Sequence, residues 1–418
     1  MRVLVVTQYF WPESFRINQV VKSLTRCGCQ VTVLTGQPNY PDGVVFDGFY
    51  AAAMKRERHE DGYQICRVPL FPRGSASVTR LMGNYVSFVV AASVFGPWLL
   101  RGAEFDVVFV YAPSPILQVI PAVLIKSLKR APLVTWVQDL WPQSLESTGF
   151  VRNRGFLHMV ERLVSWLYRR NDLLLAQSRS FVPSIQELSG LTPVKYFPNP
   201  GESGAGDPSP SSHPRSPLVL DPGFNVVFAG NLGTVQALDT ILDAAELLRS
   251  TPDIRFILVG SGSRSGWLQT EVQRRGLDNV RLMGRFPVSE MPGIMAQASA
   301  LLVTLIRSPT MSRTIPSKVQ AYLAAGRPII AALDGEGAEV VREAGAGISV
   351  PAEDAEALAG AIRELHALDD RARARLGEAG RSFYSKHFDP DVLAQELIGH
   401  FRRIASPPGA AARQKASA

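Results

Sequence analysis

The chain has few of the residues that hold small proteins together through disulfides or metals. Its 418 residues include only three cysteines and six histidines. Cys27 and Cys29 flank a glycine, and no histidine is close to them in the sequence. An odd number of cysteines argues against a disulfide framework, and the spacing does not match a zinc site. We expect plain buried thiols and no bound metal.

Charge is also scarce, and it is unevenly distributed. Charged residues make up 19% of the chain and hydrophobic residues 46%, which is typical of a globular protein with large cores. Residues 1–200 hold 21 Lys and Arg against 13 Asp and Glu, whereas residues 201–418 hold 23 against 24. No basic run is interleaved with aromatics, which argues against nucleic acid. The basic half is expected to meet another anionic partner, such as a lipid surface or a phosphorylated substrate.

Short apolar runs alternate with helical patterns along most of the chain. Such alternation predicts parallel sheets covered by helices on both faces. The predicted strands are 2–8, 30–35, 64–69, 106–111, 132–139, 172–178, 194–199, 224–230, 254–260, 279–284, 300–306, 327–332 and 347–351. Helical patterns finish the chain near 354–368, 371–385 and 389–404. The first residues, MRVLVVTQ, are typical of a strand rather than a signal peptide, so we expect a cytoplasmic protein.

A stretch rich in Pro, Gly and Ser separates two similar halves. Residues 198–223 cannot build a core and predict a linker or long surface loop. The fold class is therefore α/β, with two Rossmann-like domains at 1–199 and 224–388 joined by a linker at 200–223. Ligands of such sheets bind beyond the carboxyl ends of the strands, and the expected site is the cleft between the domains.

Two segments of the first half are unusually apolar. Residues 81–100 carry no charge and are long enough to span a bilayer. Their Gly, Asn and Pro residues and their place in an α/β alternation favour a helix that packs on the sheet or dips into the membrane interface. Residues 152–172 form a basic amphipathic pattern typical of helices on anionic membranes, although an ordinary solvated helix shares it.

No acidic residue occurs among residues 311–330, where Arg313 and Lys318 surround the start of a short predicted helix. Pro316 and Ser317 suit the approach and the cap of this helix. A helix N-terminus offers unpaired N–H groups and partial positive charge, so two added cations predict a diphosphate site. The alternative is a surface helix with scattered basic residues.

Two glycine-rich turns precede this helix. FAGNLGTVQALDT contains Gly230 and Gly233, and LVGSGSRSGW contains Gly260 and Gly262. The second turn superficially matches a dinucleotide fingerprint, but no acidic residue ends the next strand to hold a ribose. No Walker sequence is present. We therefore predict that the turns of this half converge on a nucleotide.

Polar residues also follow predicted strands of the first half. Asp139 comes directly after a buried strand, at the edge of the expected cleft, where a carboxylate can orient or activate a hydroxyl. The alternative is an Asp that caps a helix. The other residues expected on this side of the site are Glu13, Arg16, Asn39, Tyr40, Gln138 and Glu146.

Five stretches together resemble glycosyltransferase family 4, the retaining transferases of sugar nucleotides with the GT-B fold. They are VTQYFWPESFRIN, VTVLTGQPNYPDG, WVQDLWPQSL, FAGNLGTVQALDT and IPSKVQAYLAAGRPIIAALDGEG, and they span nearly the whole chain. Within the family the chain is most similar to bacterial enzymes of O-antigen, capsule or colanic-acid assembly, the L-fucosamine-transferase-like group.

The resemblance implies an N-terminal acceptor domain, a C-terminal domain that holds the sugar nucleotide, and a final segment, 389–418, that packs back on the first domain. It implies transfer with retention, without a metal or other cofactor. The implied donor is a nucleotide sugar, UDP-linked, carrying an N-acetylated deoxyhexosamine such as L-FucNAc. The implied acceptor is a polyprenyl-diphosphate-linked saccharide, which a peripheral protein would meet at the anionic inner face of the cytoplasmic membrane.

The chain departs from the family pattern in the donor domain. The family's carboxylate pair, its two cations and its histidine fall at Arg313 and Ala321, at Asn231 and Gln236, and at Gln138. We infer that Arg313 and Lys318 take over the diphosphate and that Glu336 or Glu339 holds the ribose. The predicted catalytic residues are Asp139, Arg313 and Lys318, and the predicted donor-binding residues are Gly230, Asn231, Gly233, Gln236, Gly260, Gly262, Arg285, Ser317, Glu336 and Glu339.

Two rival interpretations stay open. A UDP-sugar 2-epimerase shares the two-domain fold, but it needs its own acidic and histidine groups, and no histidine lies in the strand-end turns. A non-catalytic binding or scaffold protein of an assembly complex would explain the missing carboxylate pair and histidine. Donor hydrolysis or transfer by purified protein distinguishes the three.

Overall fold

The computed structural model describes residues 1–74, 78–147, 153–201 and 218–405. The chain divides into two compact units, one of Met1–Pro200 with Pro390–Ala418 and the other of Gly201–Asp389. Most of the predicted linker lies outside the described residues.

The first unit is a parallel sheet covered by helices. Its strands are β1 (Arg2–Val6), β2 (Gln30–Thr35), β3 (Lys55–Arg58), β4 (Gln64–Arg67), β5 (Val107–Ala112), β6 (Leu133–Val137), β7 (Leu173–Ala176) and β8 (Val194–Tyr196). Its helices before the second unit are α1 (Arg16–Arg26), α2 (Val78–Leu99), α3 (Val119–Lys129), α4 (Gln143–Ser147), α5 (Arg154–Tyr168) and α6 (Phe181–Ser189). Over the described residues the strand order is β3-β4-β2-β1-β5-β6-β7-β8.

The central strands of this unit are aliphatic runs because helices cover both faces of the sheet. Every residue of β5 and of β6 is buried. The strand that the sequence pattern missed is β3, which pairs antiparallel with β4 at the sheet edge. Its sequence, KRER, has no apolar side, so neither periodicity nor hydrophobicity could reveal it.

Helix α2 corresponds to the uncharged segment of the sequence. By length and composition it could cross a membrane, which is weak evidence by itself. In the structure α2 packs along the sheet beside α3, with Phe88 and Ala92 fully buried in a core shared with β1 and β5. The inner face of α2 therefore packs on the sheet, as expected from the sequence.

The second unit repeats the same architecture. Its strands are β9 (Phe224–Ala229), β10 (Ile254–Val259), β11 (Val280–Gly284), β12 (Ala300–Thr304), β13 (Ile329–Ala332) and β14 (Gly347–Val350). Its helices are α7 (Leu238–Leu247), α8 (Ser265–Arg275), α9 (Met291–Met295), α10 (Ser317–Ala325), α11 (Glu336–Glu343), α12 (Ala355–Ala367) and α13 (Asp370–His387). Its described strands run parallel in the order β11-β10-β9-β12-β13-β14.

The last helix, α14 (Pro390–Ala405), returns to the first unit. It buries Leu397 and Phe401 in the core beneath β1 and β5. Arg26 at the end of α1 forms an ion pair with Asp391, with a nitrogen–oxygen distance of 2.7 Å. The expected return of the final helix to the N-terminal domain is confirmed.

Candidate active site

A cavity of about 920 Å³ opens at the carboxyl ends of β9, β10 and β12 in the second unit. Because β9 lies between β10 and β12, the order of strands reverses at this point of the sheet. Open parallel sheets bind their ligands outside the strand ends at such a switch point. The predicted residues that line the cavity are Gly230, Asn231, Gln236, Gly260, Arg285, Ser317 and Lys318.

Two glycines allow the turns after β9 and β10 to pack against each other. Gly230 and Gly260 have φ values of +136° and +139°, which residues other than glycine rarely adopt. A Cβ atom added to Gly260 would lie 1.8 Å from the Gly230 carbonyl oxygen. The Gly260 N–H donates to the Gly284 carbonyl oxygen at 2.7 Å, which joins these turns to the end of β11. The convergence of turns expected from sequence therefore rests on backbone contact.

Gly233 and Gly262 support the turns and do not line the cavity. The side-chain carbonyl of Gln236 accepts the Gly233 N–H at 3.1 Å. A Cβ atom on Gly262 would lie 2.4 Å from the Leu232 carbonyl oxygen, so this position also needs glycine. Their role in the site is to shape the backbone, whereas Asn231 and Gln236 reach the cavity wall.

Lys318 lines this cavity, and its ammonium group is buried behind the cavity wall against Phe228 and Gly230. Its Nζ is inaccessible to solvent and has no hydrogen-bond partner among the described residues. The nitrogen lies 3.6 Å from the centroid of the Phe228 ring, and the pKa of Lys318 is lowered to about 7 because burial penalises the charged form. A buried cation without a partner is costly, so its surroundings favour the arrival of an anion.

The backbone near Lys318 leaves room for its side chain. A Cβ atom on Gly230 would lie 2.6 Å from the Cε of Lys318. Lys318 occupies the first turn of α10, whose N-terminal N–H groups add partial positive charge at the same wall. Ser317 was expected to cap this helix, but Pro316 occupies the N-cap and Ser317 is the first helical residue.

Arg313 lies elsewhere. It ends a short 3₁₀ turn, Met311–Arg313, and its side chain is exposed and does not line the cavity. The turn packs toward α11, since a Cβ atom on Gly335 would lie 2.1 Å from the Ser312 carbonyl oxygen. This packing turns the arginine to solvent. The cation that accompanies Lys318 at the cavity wall is Arg285, which follows β11.

The two candidates for ribose binding are also outside the cavity. Glu336 is buried in the first turn of α11, and Glu339 is exposed on the same helix. Neither lines the cavity, so the structure does not bring them to the nucleotide site that the sequence suggested. The polar residues at the wall that the sequence analysis missed are Ser261, Ser289 and Thr304.

Part of the cavity wall is apolar, which the sequence pattern also did not predict. It is formed by Phe286, Val288, Met291, Pro292 and Met295. These residues follow β11 or lie on α9, a helix of five residues. Apolar residues on so short an element look like ordinary core in a sequence, and no periodic signal could separate them from it.

In the first unit, Glu13 joins the loops that follow β1 and β2. It is 2% exposed, and its carboxylate accepts the backbone N–H groups of Phe10, Asn39 and Tyr40 at 3.1, 2.8 and 2.7 Å. Burial raises the pKa of Glu13 to about 7, although the three N–H donors oppose the rise. This geometry makes Glu13 a loop-organising residue rather than one that reaches a ligand.

Two other expected residues of this unit also have structural contacts. Asn39 is fully buried, and its side-chain oxygen accepts a hydrogen bond from the backbone N–H of Arg73 at 3.0 Å. Arg16 donates to the Pro200 carbonyl oxygen at 2.9 Å. Tyr40 is 36% exposed and packs against the ring of Phe15. It can therefore still meet a ligand, as can Glu146, which is exposed on α4.

Gln138 and Asp139 stand at the end of β6. Asp139 accepts a hydrogen bond from the Trp141 indole N–H at 3.2 Å, and burial raises the pKa of its carboxyl. It does not cap α4, which begins at Gln143. The side-chain nitrogen of Gln138 is buried without a hydrogen-bond partner among the described residues. A buried donor of this kind is available to a substrate oxygen.

Within the described residues, no group of three or more His, Cys, Asp and Glu side chains is arranged to hold a metal ion. The predicted residues thus fall into two sets, one at the strand ends of each unit. The donor-side set converges on the cavity, apart from Arg313, Glu336 and Glu339 and the two turn glycines.

Both units match known sequence families. Residues 14–200 match the family described as "Glycosyl transferase 4-like domain", and residues 223–367 match "Glycosyl transferases group 1". WcaI of Escherichia coli strain K12, named for colanic acid biosynthesis, is 24% identical over 96% of this chain and 100% of its own length. The glycosyltransferase WbjE of Pseudomonas aeruginosa is 25% identical over 80% of this chain and 84% of its own.

Solved structures share the same fold. HepE of Anabaena, solved with UDP and glucose, superposes with a TM-score of 0.63 at 18% identity over 96% of this chain and 100% of its own. Sucrose-phosphate synthase of Thermosynechococcus elongatus gives a TM-score of 0.68 at 17% identity over 96% of this chain and 98% of its own. At these identities the likeness concerns the fold alone.

The two parallel-sheet domains and the family matches together define a glycosyltransferase of the GT-B fold. More narrowly, its first unit carries a glycosyl transferase 4-like domain and its second unit a domain of the glycosyl transferases group 1. The fold and the glycosyltransferase class expected from sequence are confirmed. The L-fucosamine-transferase-like subgroup stays a prediction.

Proposed function

We propose that this chain transfers a sugar from a UDP-linked donor to a lipid-linked saccharide, with retention of configuration and without a metal. The observation that carries the proposal is the buried ammonium of Lys318, which has no hydrogen-bond partner among the described residues and belongs to a residue that lines a cavity at the switch point of the sheet. A diphosphate would supply the missing counter-charge.

The proposed donor pose follows from the chemistry of the cavity wall. The diphosphate meets Lys318, the N-terminus of α10 and Arg285, while the apolar residues of the wall, such as Met291, contact the base. These groups stabilise the charge that develops on the leaving diphosphate, which is the role a metal ion plays in other transferases. Because the diphosphate favours the charged ammonium, donor binding should draw a proton onto Lys318.

The acceptor side is proposed for the strand ends of the first unit. Asp139, whose pKa is raised by burial, orients the acceptor hydroxyl, and Gln138 offers its unpaired N–H to a sugar oxygen. The leaving diphosphate takes the proton of the acceptor hydroxyl as the new glycosidic bond forms. The names of relatives support a surface-polysaccharide acceptor such as those of colanic acid or O-antigen.

The specific substrates of this proposal are an N-acetylated deoxyhexosamine donor such as UDP-L-FucNAc and a polyprenyl-diphosphate-linked acceptor. HepE binds UDP-glucose in a solved complex, which supports a UDP-linked sugar here. An acceptor of this kind places the protein at the anionic inner face of the cytoplasmic membrane as a peripheral enzyme. A thermal-shift series with nucleoside diphosphates and nucleotide sugars identifies the donor, because binding to the folded state raises its melting temperature.

The proposal is tested with two variants in one transfer assay. Lys318→Met should abolish the thermal shift given by the donor and reduce transfer by roughly 100-fold or more, as expected for a lost charge at a developing anion. Asp139→Asn should keep the thermal shift and lose transfer. Lys386→Met, which changes an exposed lysine on α13, is the matched control and should behave like the parent.

Donor binding by Lys318→Met equal to that of the parent would refute the assignment of the cavity. Full transfer by Asp139→Asn would refute the role of that residue. Conversion of the donor into its 2-epimer without an acceptor would favour an epimerase of the same fold, and the absence of any turnover with retained binding would favour a non-catalytic protein.

A further inference from the structure

Helix α2 has two apolar faces, and only one of them is covered. The inner face, which includes Phe88, is buried against the sheet. On the outer face Met82, Val86, Val90 and Val94 follow one another at intervals of four residues and are 44%, 49%, 55% and 61% exposed. A helix that is apolar all round normally lies inside a protein or in contact with lipid.

Exposed apolar residues continue onto the neighbouring helices. Leu124 and Leu128 are exposed on α3, which packs between α2 and α5. Phe156, Met159 and Trp166 are exposed on α5. All three helices cover the same face of the sheet. We call these side chains, with the outer residues of α2, the docking face.

Asn84 fixes α2 to the protein from the inner side. It is fully buried, and its side-chain oxygen accepts hydrogen bonds from Gln8 at 2.6 Å and from the Tyr9 hydroxyl at 3.1 Å. Its side-chain nitrogen donates to the Phe71 carbonyl oxygen at 2.7 Å and to the Asn39 side chain at 3.3 Å. A spanning α2 would lose these bonds and leave polar groups in hydrocarbon, at a cost of several kcal/mol.

The net positive charge of these helices favours an anionic partner. Helices α2, α3 and α5 carry five basic residues (Arg80, Lys126, Lys129, Arg154 and Arg162) against one acidic residue, Glu161. One of the five, Lys126, forms an ion pair with Asp172 beyond the end of α5, so a surplus of three positive charges is left. Arg170, just beyond α5, lies 5.0 Å from the ring of the exposed Trp166. Cations beside exposed Trp, Leu and Val side chains complement anionic headgroups above acyl chains.

Other occupants fit less well. The two longest stretches outside the described residues, 202–217 and 406–418, contain no Val, Ile, Leu, Met, Phe, Tyr or Trp, so they have no large apolar side chains with which to cover the docking face. A second copy of the chain would pair the same patch with itself, and a two-fold contact of this kind sets the basic residues of one copy near those of the other. An anionic bilayer carries the opposite charge.

We propose that the docking face inserts shallowly into the interface of an anionic phospholipid bilayer, with α2 lying along the surface and not across it. The proposal rests on the lipid-linked acceptor of the proposed function and adds the surface and the orientation. Because Asn84 also holds the loops that follow β1, β2 and β4, docking through α2 sets those loops at a fixed height above the membrane.

The test uses the full chain and vesicles of phosphatidylcholine, alone or with roughly one third phosphatidylglycerol, in a flotation assay. The parent should float with the mixed vesicles and not with phosphatidylcholine alone. The double variant Val86→Glu and Val90→Glu changes only exposed side chains and should lower flotation by roughly tenfold or more. Leu247→Glu, at a residue that is 44% exposed on α7, is the matched control and should float like the parent.

Further measurements distinguish the orientation of α2, the identity of the partner and the proposed donor site from one another. Alkaline carbonate should release the protein from cell membranes, and retention there would overturn the surface orientation. Undiminished flotation of the double variant, or equal flotation with both kinds of vesicle, would overturn the docking face. A parent dimer that dissociates in the double variant would identify a second copy as the partner. The donor-induced thermal shift should persist in the double variant, and its absence from the parent would instead count against the proposed donor site.

Discussion

Lys318 combines two properties that conflict in an unliganded protein. Its ammonium is buried with no hydrogen-bond partner among the described residues, and it stands in the wall of a cavity. Burial lowers its pKa to about 7, so near neutral pH a substantial fraction of the molecules hold this lysine uncharged. A lysine with only a structural role would be more stable if its ammonium reached water. A lysine that binds an anionic ligand can stay buried, because the ligand offsets the free-energy cost of burying the charge.

The first prediction concerns the effect of this lysine on stability. The pKa of Lys318 is about 7 in the folded chain against 10.5 for an ordinary lysine. Between these values the unfolded chain binds more protons than the folded one, so the free energy of unfolding of the parent rises with pH by at most about 1.4 kcal/mol per unit. Lys318→Met removes the buried charge, and its stability advantage should be largest at pH 7 and below.

The measurement is denaturant unfolding of both proteins, without donor, at several pH values from 6 to the onset of alkaline unfolding. The advantage of Lys318→Met should shrink steadily as the pH rises above about 7. An advantage that is constant with pH would show that the lysine is not held in an unfavourable charged state. Lys386→Met should show no such trend, because this residue is exposed.

At the scale of elements, the proposed donor site depends on backbone turns rather than on side-chain motifs. The turns after β9, β10 and β11 are joined by hydrogen bonds from Gly230 to Val259 and from Gly260 to Gly284. Close approach and left-handed backbone angles explain why glycines stand at these turns. The glycines of LVGSGSRSGW therefore do not all have the same role.

Gly260→Ala and Gly266→Ala should have opposite effects. A methyl group at Gly260 would meet the Gly230 carbonyl oxygen, so this variant should destabilise the second unit by several kcal/mol and abolish donor binding. Gly266 lies inside α8 with no atom within 4 Å of an added Cβ, so its replacement should stabilise by about 0.5–1 kcal/mol. Thermal unfolding with and without donor measures both effects, and equal losses in the two variants would contradict this explanation.

At the scale of the whole molecule, the chain crosses from one unit to the other and back. Helix α14 completes the core of the first unit although it follows the entire second unit in sequence. Phe401 is fully buried there, 5.4 Å from Phe109 of β5 between ring centroids. The stability of the first unit thus depends on a helix that follows the whole second unit in the chain, while the cavity proposed to bind the donor is lined by residues of the second unit.

Phe401→Ala should separate the stability of the two units. Loss of a buried phenylalanine costs about 3–5 kcal/mol, and here the cost falls on the first unit. Calorimetry should show the transition of the first unit at a lower temperature, while the donor still raises the melting temperature of the second. Leu247→Ala, which changes a half-exposed residue of α7, is the control. A donor-induced shift that disappears in Phe401→Ala would contradict independent donor binding by the second unit.

Periodicity and composition were sufficient to predict most strands and helices of the fold. The predicted strand at 30–35 agrees with β2 at both ends, and the helices expected near 354–368 and 371–385 agree closely with α12 and α13. Aliphatic runs and helical patterns are local signals, so a linear sequence contains them. The basic edge strand β3 escaped because pairing with β4, not its own residues, makes it a strand.

The features of the candidate site also divide into those that local sequence predicts and those that depend on tertiary contacts. By itself the sequence determined the α/β architecture, the glycine turns and the presence of Lys318 at a helix start, because each depends on residues near one another in the chain. Only the tertiary structure decided that Lys318 is buried without a hydrogen-bond partner among the described residues, that Arg313 turns to solvent while Arg285 lines the cavity, and that Glu13 and Asn39 hold loops together. Burial and contact across strand ends depend on packing between distant segments, and a linear pattern does not contain that information.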